Sequence, residues 1–359
     1  MLKFRHSLLL CLLVLLPAGA EPALAPAKGF DLTRSDIVGF VDDVTARDSL
    51  NRKAVLALLA KAEPQPKVIE RITKPAERVL QWWEYRDRFV NEKRIADGVQ
   101  FWNDHRASLE RTAAARGVAP EYIVAILGAE TNYGRVTGHD RVIDALTTLA
   151  FDYPPRQAYF RAELEQFLLL VREEKIDPVT VMGSYTGAMG APQFMPSNYR
   201  QYAVDANTDK KRNLWTDWDD VFASVANYFD AFGWVAGGPV IADAVLDPDP
   251  TFQFDPRNLE LNETLDSLNV KGVRIAAAAP AAATPVVLVS AEQKDGPTYR
   301  VGFQNFYVIT RYNRSARYAM AVNDLAQAIA QRVTTGSGAP DSQGAPSSQA
   351  PPPPSNPSQ

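Results

Sequence analysis

Residues 122–138, YIVAILGAETNYGRVTG, restrict the fold more than any other part of the chain. Pro120 opens this stretch as a helix, because proline in the first turn gives up an N–H that has no intrahelical partner. Ile123, Ile126 and Leu127 supply an apolar face, and Ala125, Gly128 and Ala129 permit close packing against neighbours. Such a helix belongs in the interior, yet it ends on a carboxylate, Glu130. Desolvation disfavours the ionised form, so an acid delivered this way can hold its proton near neutral pH and give it to a leaving group. An arginine partner or backbone N–H groups would instead make Glu130 purely structural. What decides between these is the company Glu130 keeps further along the chain.

The 359 residues suffice for one large domain or two ordinary ones, and 46% hydrophobic content supports a sizeable core. Residues 1–20 carry Lys3, Arg5 and His6, then an apolar run over 8–16, then Ala18-Gly19-Ala20. These are the parts of a cleaved secretory signal, and the apolar run is too short to span a bilayer. The expectation is a periplasmic protein with no stable membrane insertion after cleavage at Ala20. Cys11 is the one cysteine, and it follows Leu10 rather than a small residue, which makes a poor lipid-attachment site. The processed chain would then have no disulfide and no thiol nucleophile. Three histidines leave little room for a zinc site or a Ser-His-Asp triad. Losing two cations with the signal takes the formal net charge from −4 to −6, which argues against nucleic acid.

The spacing of apolar residues predicts a helix over 35–62, one around Trp82, Trp83, Tyr85 and Phe89, and one from Ile95 through Leu109 to Gly117. The aromatic residues read mainly as core, with Trp82 and Trp83 also suited to stacking on a sugar. Residues 141–150 and 156–172 are helical, joined by the stiff FDYPPR connector. Residues 183–198, GSYTGAMGAPQFMPSN, fit neither helix nor strand and read as a loop of close backbone approaches. A helix follows around Val221, Phe222, Val225 and Phe229. Short β-type runs such as TPVVLVS and TYRVGF make 241–304 a small β-rich subdomain. Residues 305–333 return to the core, with a strand-like start at NFYVIT and a final helix. Residues 334–359, rich in Pro, Ser, Gly and Gln, form an expected disordered tail. The fold class is mainly α (α+β), with 30–240 forming the helical body.

Five of these stretches together resemble the lytic murein transglycosylase B family, glycoside hydrolase family 103. They are GAETNYGRVTG (128–138), LTTLAFDYPPR (146–156), GSYTGAMGAPQFMPSNYRQYAVD (183–205), SVANYFDAFGW (224–234) and NFYVITRYNRSARYAMAV (305–322). The resemblance covers about residues 30–332 and implies a lysozyme-like helical core, an added helical region and a small β subdomain. It also implies cleavage of the N-acetylmuramic acid–N-acetylglucosamine bond of peptidoglycan, leaving a 1,6-anhydro sugar, with Glu130 as single acid and base. Ordinary glycosidases flank the bond with two carboxylates; one suffices if the substrate's 2-acetamido group stabilises C1.

The resemblance further implies that Ser184, Gln193, Tyr312, Asn313 and Tyr318 line the glycan cleft, and that Met189 and Phe194 shape its floor. Arg156 matches one of two adjacent arginines facing the stem peptide; the other is Pro155 here. It also implies a calcium loop over 205–219, with Asp205, Asn207 and Asp209 at alternate positions and Asp219 closing it. Calcium would be structural and not required for chemistry. Lys210 stands at the sixth position, where the turn favours glycine, so a solvated polar turn is the alternative. A hydrolytic muramidase and a non-catalytic peptidoglycan-binding scaffold are the rival functions. Exo or endo action and any cell-wall synthesis or divisome partners are not legible in the residues.

Overall fold

The computed structural model describes residues 29–74, 80–275 and 280–336. Residues 1–20, read as a signal and including Cys11, and the residues beyond 336, read as a tail, lie outside the described residues.

Among the described residues six helices precede the central one: α1 (Ser35–Asp48), α2 (Arg52–Leu59), α3 (Pro66–Thr73), α4 (Trp82–Phe89), α5 (Glu92–Asp104) and α6 (Arg106–Arg116). The predicted helix over 35–62 is therefore two. Ser49 takes a left-handed φ of 52°, and Asn51 caps the restart by accepting the Ala54 N–H at 3.0 Å. The helix predicted from Ile95 to Gly117 is likewise broken at His105, whose ring packs against Phe101, Trp218 and Phe222. The His105 and Leu109 N–H groups still reach the carbonyls four residues back, at 3.2 and 3.0 Å, so the break lies in the φ of −118° at His105.

Next come α7 (Pro120–Thr131), β1 (Asp140–Arg141), α8 (Val142–Asp152), a 3-10 turn over Pro154–Arg156, α9 (Gln157–Glu174), β2 (Met182–Gly183), α10 (Pro196–Tyr202) and α11 (Trp218–Ala231). The inserted sheet follows, with β3 (Ile241–Leu246), β4 (Glu263–Thr264), α12 (Leu265–Val270), β5 (Val273–Ile275), β6 (Pro285–Ser290) and β7 (Tyr299–Gly302). Its strand order is β4-β6-β7-β3-β5, antiparallel throughout, around its own small core of Leu265, Leu268, Val273, Val286, Leu288, Val301 and Phe303.

The chain re-enters the helical body through α13 (Gln304–Tyr312) and α14 (Ala316–Thr335). The strand-like NFYVIT is thus helical, because Phe306, Val308 and Ile309 are buried against the main core and tertiary packing overrides β propensity. Thr334 and Thr335, read as the start of the tail, are the last turn of α14, capped by Gly336 at φ 69°.

Helix α7 sits in the main core: every residue from Tyr122 to Gly128 is buried. Helix α14 packs along it, burying Tyr318, Met320, Val322, Leu325 and Ile329. A polar clamp holds α14 to the rest. Asp324 receives Arg86 of α4 at 2.7 Å and Arg300 of β7 at 2.9 Å, and Tyr122 of α7 donates to Asn323 at 2.9 Å.

Candidate active site

Helix α7 stops abruptly. Asn132, Tyr133 and Gly134 all adopt left-handed φ, at 51°, 62° and 79°, and the Tyr133 N–H returns to the Leu127 carbonyl at 2.9 Å. The Tyr133 ring then folds back over Gly128, where a Cβ would lie 2.7 Å from its hydroxyl oxygen, and the hydroxyl donates to the Arg94 carbonyl at 2.7 Å. Thr131 donates to the Ala191 carbonyl at 2.8 Å, which ties the end of α7 to the loop over 183–198. Gly138 closes the other side. Its φ of 105° and its approach to Gly183, whose carbonyl oxygen would lie 1.9 Å from a Cβ, leave room for no side chain.

These constraints leave Glu130 half-buried at the mouth of the core. The Tyr318 hydroxyl donates to its Oε1 at 2.5 Å, and no cation pairs with it among the described residues. Desolvation pushes its carboxyl up to about 7, with the Tyr318 hydrogen bond pulling in the opposite direction. An acid poised there can give a proton and take one back near neutral pH.

Tyr312 lies alongside. Its hydroxyl donates to the Pro192 carbonyl at 2.6 Å, and burial together with the charge of Glu130 raises its phenol well above the usual range. Tyr318 is raised in the same way. The ring of Tyr312 meets Phe194 and Tyr228 at 5.9 and 4.9 Å.

Gln193, at φ 53°, turns its amide nitrogen to the carbonyls of Thr137 (3.0 Å) and Gly190 (2.9 Å). Both partners are acceptors, so the nitrogen must face them, and the amide oxygen is left free for a donor. Ser184 acts within the loop, where its Oγ accepts the Ala188 N–H at 3.0 Å and pairs with the Thr186 hydroxyl at 3.0 Å.

Met189 and Phe194 exchange both backbone hydrogen bonds, at 2.9 and 3.0 Å, and are 0% and 1% exposed. They shape the loop from beneath and do not line an open floor. Asn313 is exposed directly after α13. Arg156 is not gathered in: its guanidinium stacks 4.4 Å over the Tyr159 ring on the exposed start of α9.

The residue missed by the sequence reading is Tyr85 on α4. Burial raises its phenol, Arg317 draws it down and the charge of Glu130 adds to the rise, and the Arg317 guanidinium, next to Tyr318 in the chain, lies 5.9 Å from its ring. It belongs to the aromatic stripe read as core. Trp82 is core at 1% exposure, whereas Trp83 lies under Lys294 at 4.6 Å. Only the three-residue step from Trp82 hinted that Tyr85 could share an inward face.

The calcium set does not assemble. Asp205 accepts the Lys210 N–H at 2.8 Å, Asn207 that of Asp209 at 2.9 Å, and Asp209 that of Lys211 at 2.8 Å. Asp219 is turned outward to Arg111 (2.9 Å) and Ser108 on α6. Its buried neighbour Asp220 faces the loop instead, accepting the N–H groups of Ala206 and Asn213 at 2.8 Å each. Lys210 adopts the glycine-like φ of 71°. Most of the loop's side-chain oxygens cap its own backbone, Asp205 Oδ1 stays buried without a hydrogen-bond partner, and no group of three His, Cys, Asp or Glu side chains that could hold a metal occurs among the described residues. The arrangement is a largely self-capped turn, and its carboxylates are not gathered as a calcium site.

A lysozyme-like helical body with a desolvated glutamate, Glu130, at the end of its central helix marks a class of glycan-cleaving proteins, and comparison narrows it. Residues 33–327 match the Transglycosylase SLT domain family, and the chain belongs to that family. It is 39% identical over 309 residues to the membrane-bound lytic murein transglycosylase B of Escherichia coli (strain K12), covering 81% of each chain. The lytic transglycosylase SltB1 of Pseudomonas aeruginosa superposes with a TM-score of 0.80 at 44% identity, over 83% of this chain and 98% of that one. The E. coli lytic transglycosylase Slt35, solved in complex with calcium, gives a TM-score of 0.77 at 37% identity, over 85% and 96%. No helix among the described residues is long and apolar enough to cross a membrane.

Proposed function

We propose that this protein is a periplasmic lytic transglycosylase that cleaves the β-1,4 bond between N-acetylmuramic acid and N-acetylglucosamine without water. The observation that carries the mechanism is Glu130 itself: a desolvated carboxyl near pKa 7, held by a tyrosine and not by a cation.

Protonated Glu130 gives its proton to the glycosidic oxygen as the C1–O bond breaks, and the N-acetylglucosamine leaves with a free 4-hydroxyl. The 2-acetamido oxygen of the muramic residue stabilises C1. Glu130, now a carboxylate steadied by the Tyr318 hydroxyl, removes the proton from the sugar's C6 hydroxyl as O6 bonds to C1. The acid is restored and the product is 1,6-anhydro. An internal hydroxyl already in place outcompetes water through its effective concentration. The free Gln193 oxygen suits an acetamido N–H, while Tyr312, Asn313 and Tyr85 present polar or aromatic surface to the sugars. The periplasmic location rests on the signal-like residues 1–20 and on the murein named for the relative.

Digestion of cell-wall sacculi in heavy-oxygen water tests the reaction. Anhydromuramoyl ends free of label are expected, and Glu130→Gln should slow their release by at least about 10²–10⁴-fold. Label at C1 of new reducing ends would identify a hydrolytic muramidase. Full activity in the Gln variant would make Glu130 structural.

A further inference from the structure

Beside the site lies a cavity of ≈ 550 Å³, bounded by the start of α4, the inserted segment 254–259, the end of β6 and the turn 314–317 that leads into α14. Its charged lining is Arg257, Arg314 and Arg317 against Asp255 and Glu292. Asp255 is already committed, because it accepts the Arg257 N–H at 2.9 Å and lies 3.6 Å from that guanidinium. Arg314 has no hydrogen bond or ion pair among the described residues, and Arg317 donates only to the Leu80 carbonyl. Two guanidinium groups without a carboxylate therefore face one cavity in a chain of formal net charge −4. That cavity adjoins the reacting centre: Arg317 precedes Tyr318 and lies 5.9 Å from the Tyr85 ring.

We propose that this cavity receives the carboxylates of the stem peptide carried by the muramic residue, with Arg314 as the specificity-determining contact. The inference rests on the transglycosylase reading and adds the part of the substrate that the glycan cleft does not read. Guanidinium matches carboxylate in planar, bidentate geometry, so a free arginine at a cavity rim selects that group over a hydroxyl. Glu292 leaves the cavity two-signed, which favours a peptide carrying an amino group as well as carboxylates over a plain polyanion. Arg156, stacked on Tyr159, lies outside this cavity.

The test compares glycan strands that carry stem peptides with strands stripped of them by an amidase, using the full chain. Arg314 is exposed and unpartnered, so Arg314→Ala and Arg314→Glu should melt as wild type does. On peptide-bearing strands Arg314→Ala should raise KM about 3- to 10-fold with kcat little changed. Arg314→Glu should raise it further, and Arg314→Lys should recover part of the loss. On bare strands all forms should behave alike, and wild type should prefer the peptide-bearing strands. Equal losses on both substrates, no loss on either, or no preference by wild type would overturn the assignment. Failure of wild type to release anhydro products from either substrate would instead remove the reading on which it rests.

Discussion

Tyr318→Phe removes the hydrogen bond that Glu130 accepts while keeping the buried ring in place. The hydroxyl favours the carboxylate over the acid, so its loss must raise the carboxyl pKa. A hydrogen bond to a charged group is worth about 1.5–3 kcal/mol. Each pKa unit corresponds to about 1.4 kcal/mol, so the carboxyl should climb by about one to two units. The starting point is about 7. Because the first step consumes the protonated acid, the alkaline limb of kcat/KM reports this group in the free enzyme. That limb should fall near pH 7 in wild type and about one to two units higher in the variant. The assay is release of soluble muropeptides from sacculi across the neutral and alkaline range at constant ionic strength. The height of the plateau is free to change, since the hydroxyl also orients the carboxyl; the position of the limb is diagnostic. A limb that stays in place, or moves to lower pH, would refute the account of how Glu130 is held.

The same raised pKa has a consequence for stability. The folded carboxyl keeps its proton to about 7 against an ordinary value of 4.5, so stability falls as pH rises from 4.5 through 7 and levels off above. Glu130→Gln should therefore melt like wild type at acid pH and be more stable by about 1–3 kcal/mol above neutrality, read by thermal unfolding at both; equal melting at alkaline pH would contradict it. Because the carboxylates of the loop over 205–219 are not gathered at one point, unfolding with excess calcium and with chelator should give the same midpoint, and a clear rise with calcium would show that the loop rearranges to bind it. Gly128→Ala should displace the Tyr133 ring and cost about 1–3 kcal/mol, visible as a lower melting temperature.

The helical body, the β-type composition of 241–304 and the singular glutamate were all legible in the residues, because they depend on local pattern. The unbroken run of apolar and small residues over 122–129 requires an interior helix wherever its neighbours lie, and that is enough to place Glu130 at a desolvated end. The glycines and prolines of 183–198 likewise announce close backbone approach. What the pattern did not contain was direction. NFYVIT has the β-branched content of a strand, yet Phe306, Val308 and Ile309 are buried as a helix. The break at His105 sits in an aromatic cluster whose members Phe101 and Trp218 are far apart in sequence. Asp219 and Asp220 are neighbours with the same side chain, but helical rotation sends one out to Arg111 and the other into the loop, so the expected closing ligand faced away. Tyr85 came under the Arg317 guanidinium only once α4 had docked against α14, and Arg314 reached a cavity only once the insertion had folded beside α14. Local periodicity says which residues must be buried and which helix carries the acid. Only the tertiary structure, by fixing which faces meet, decides what that acid touches.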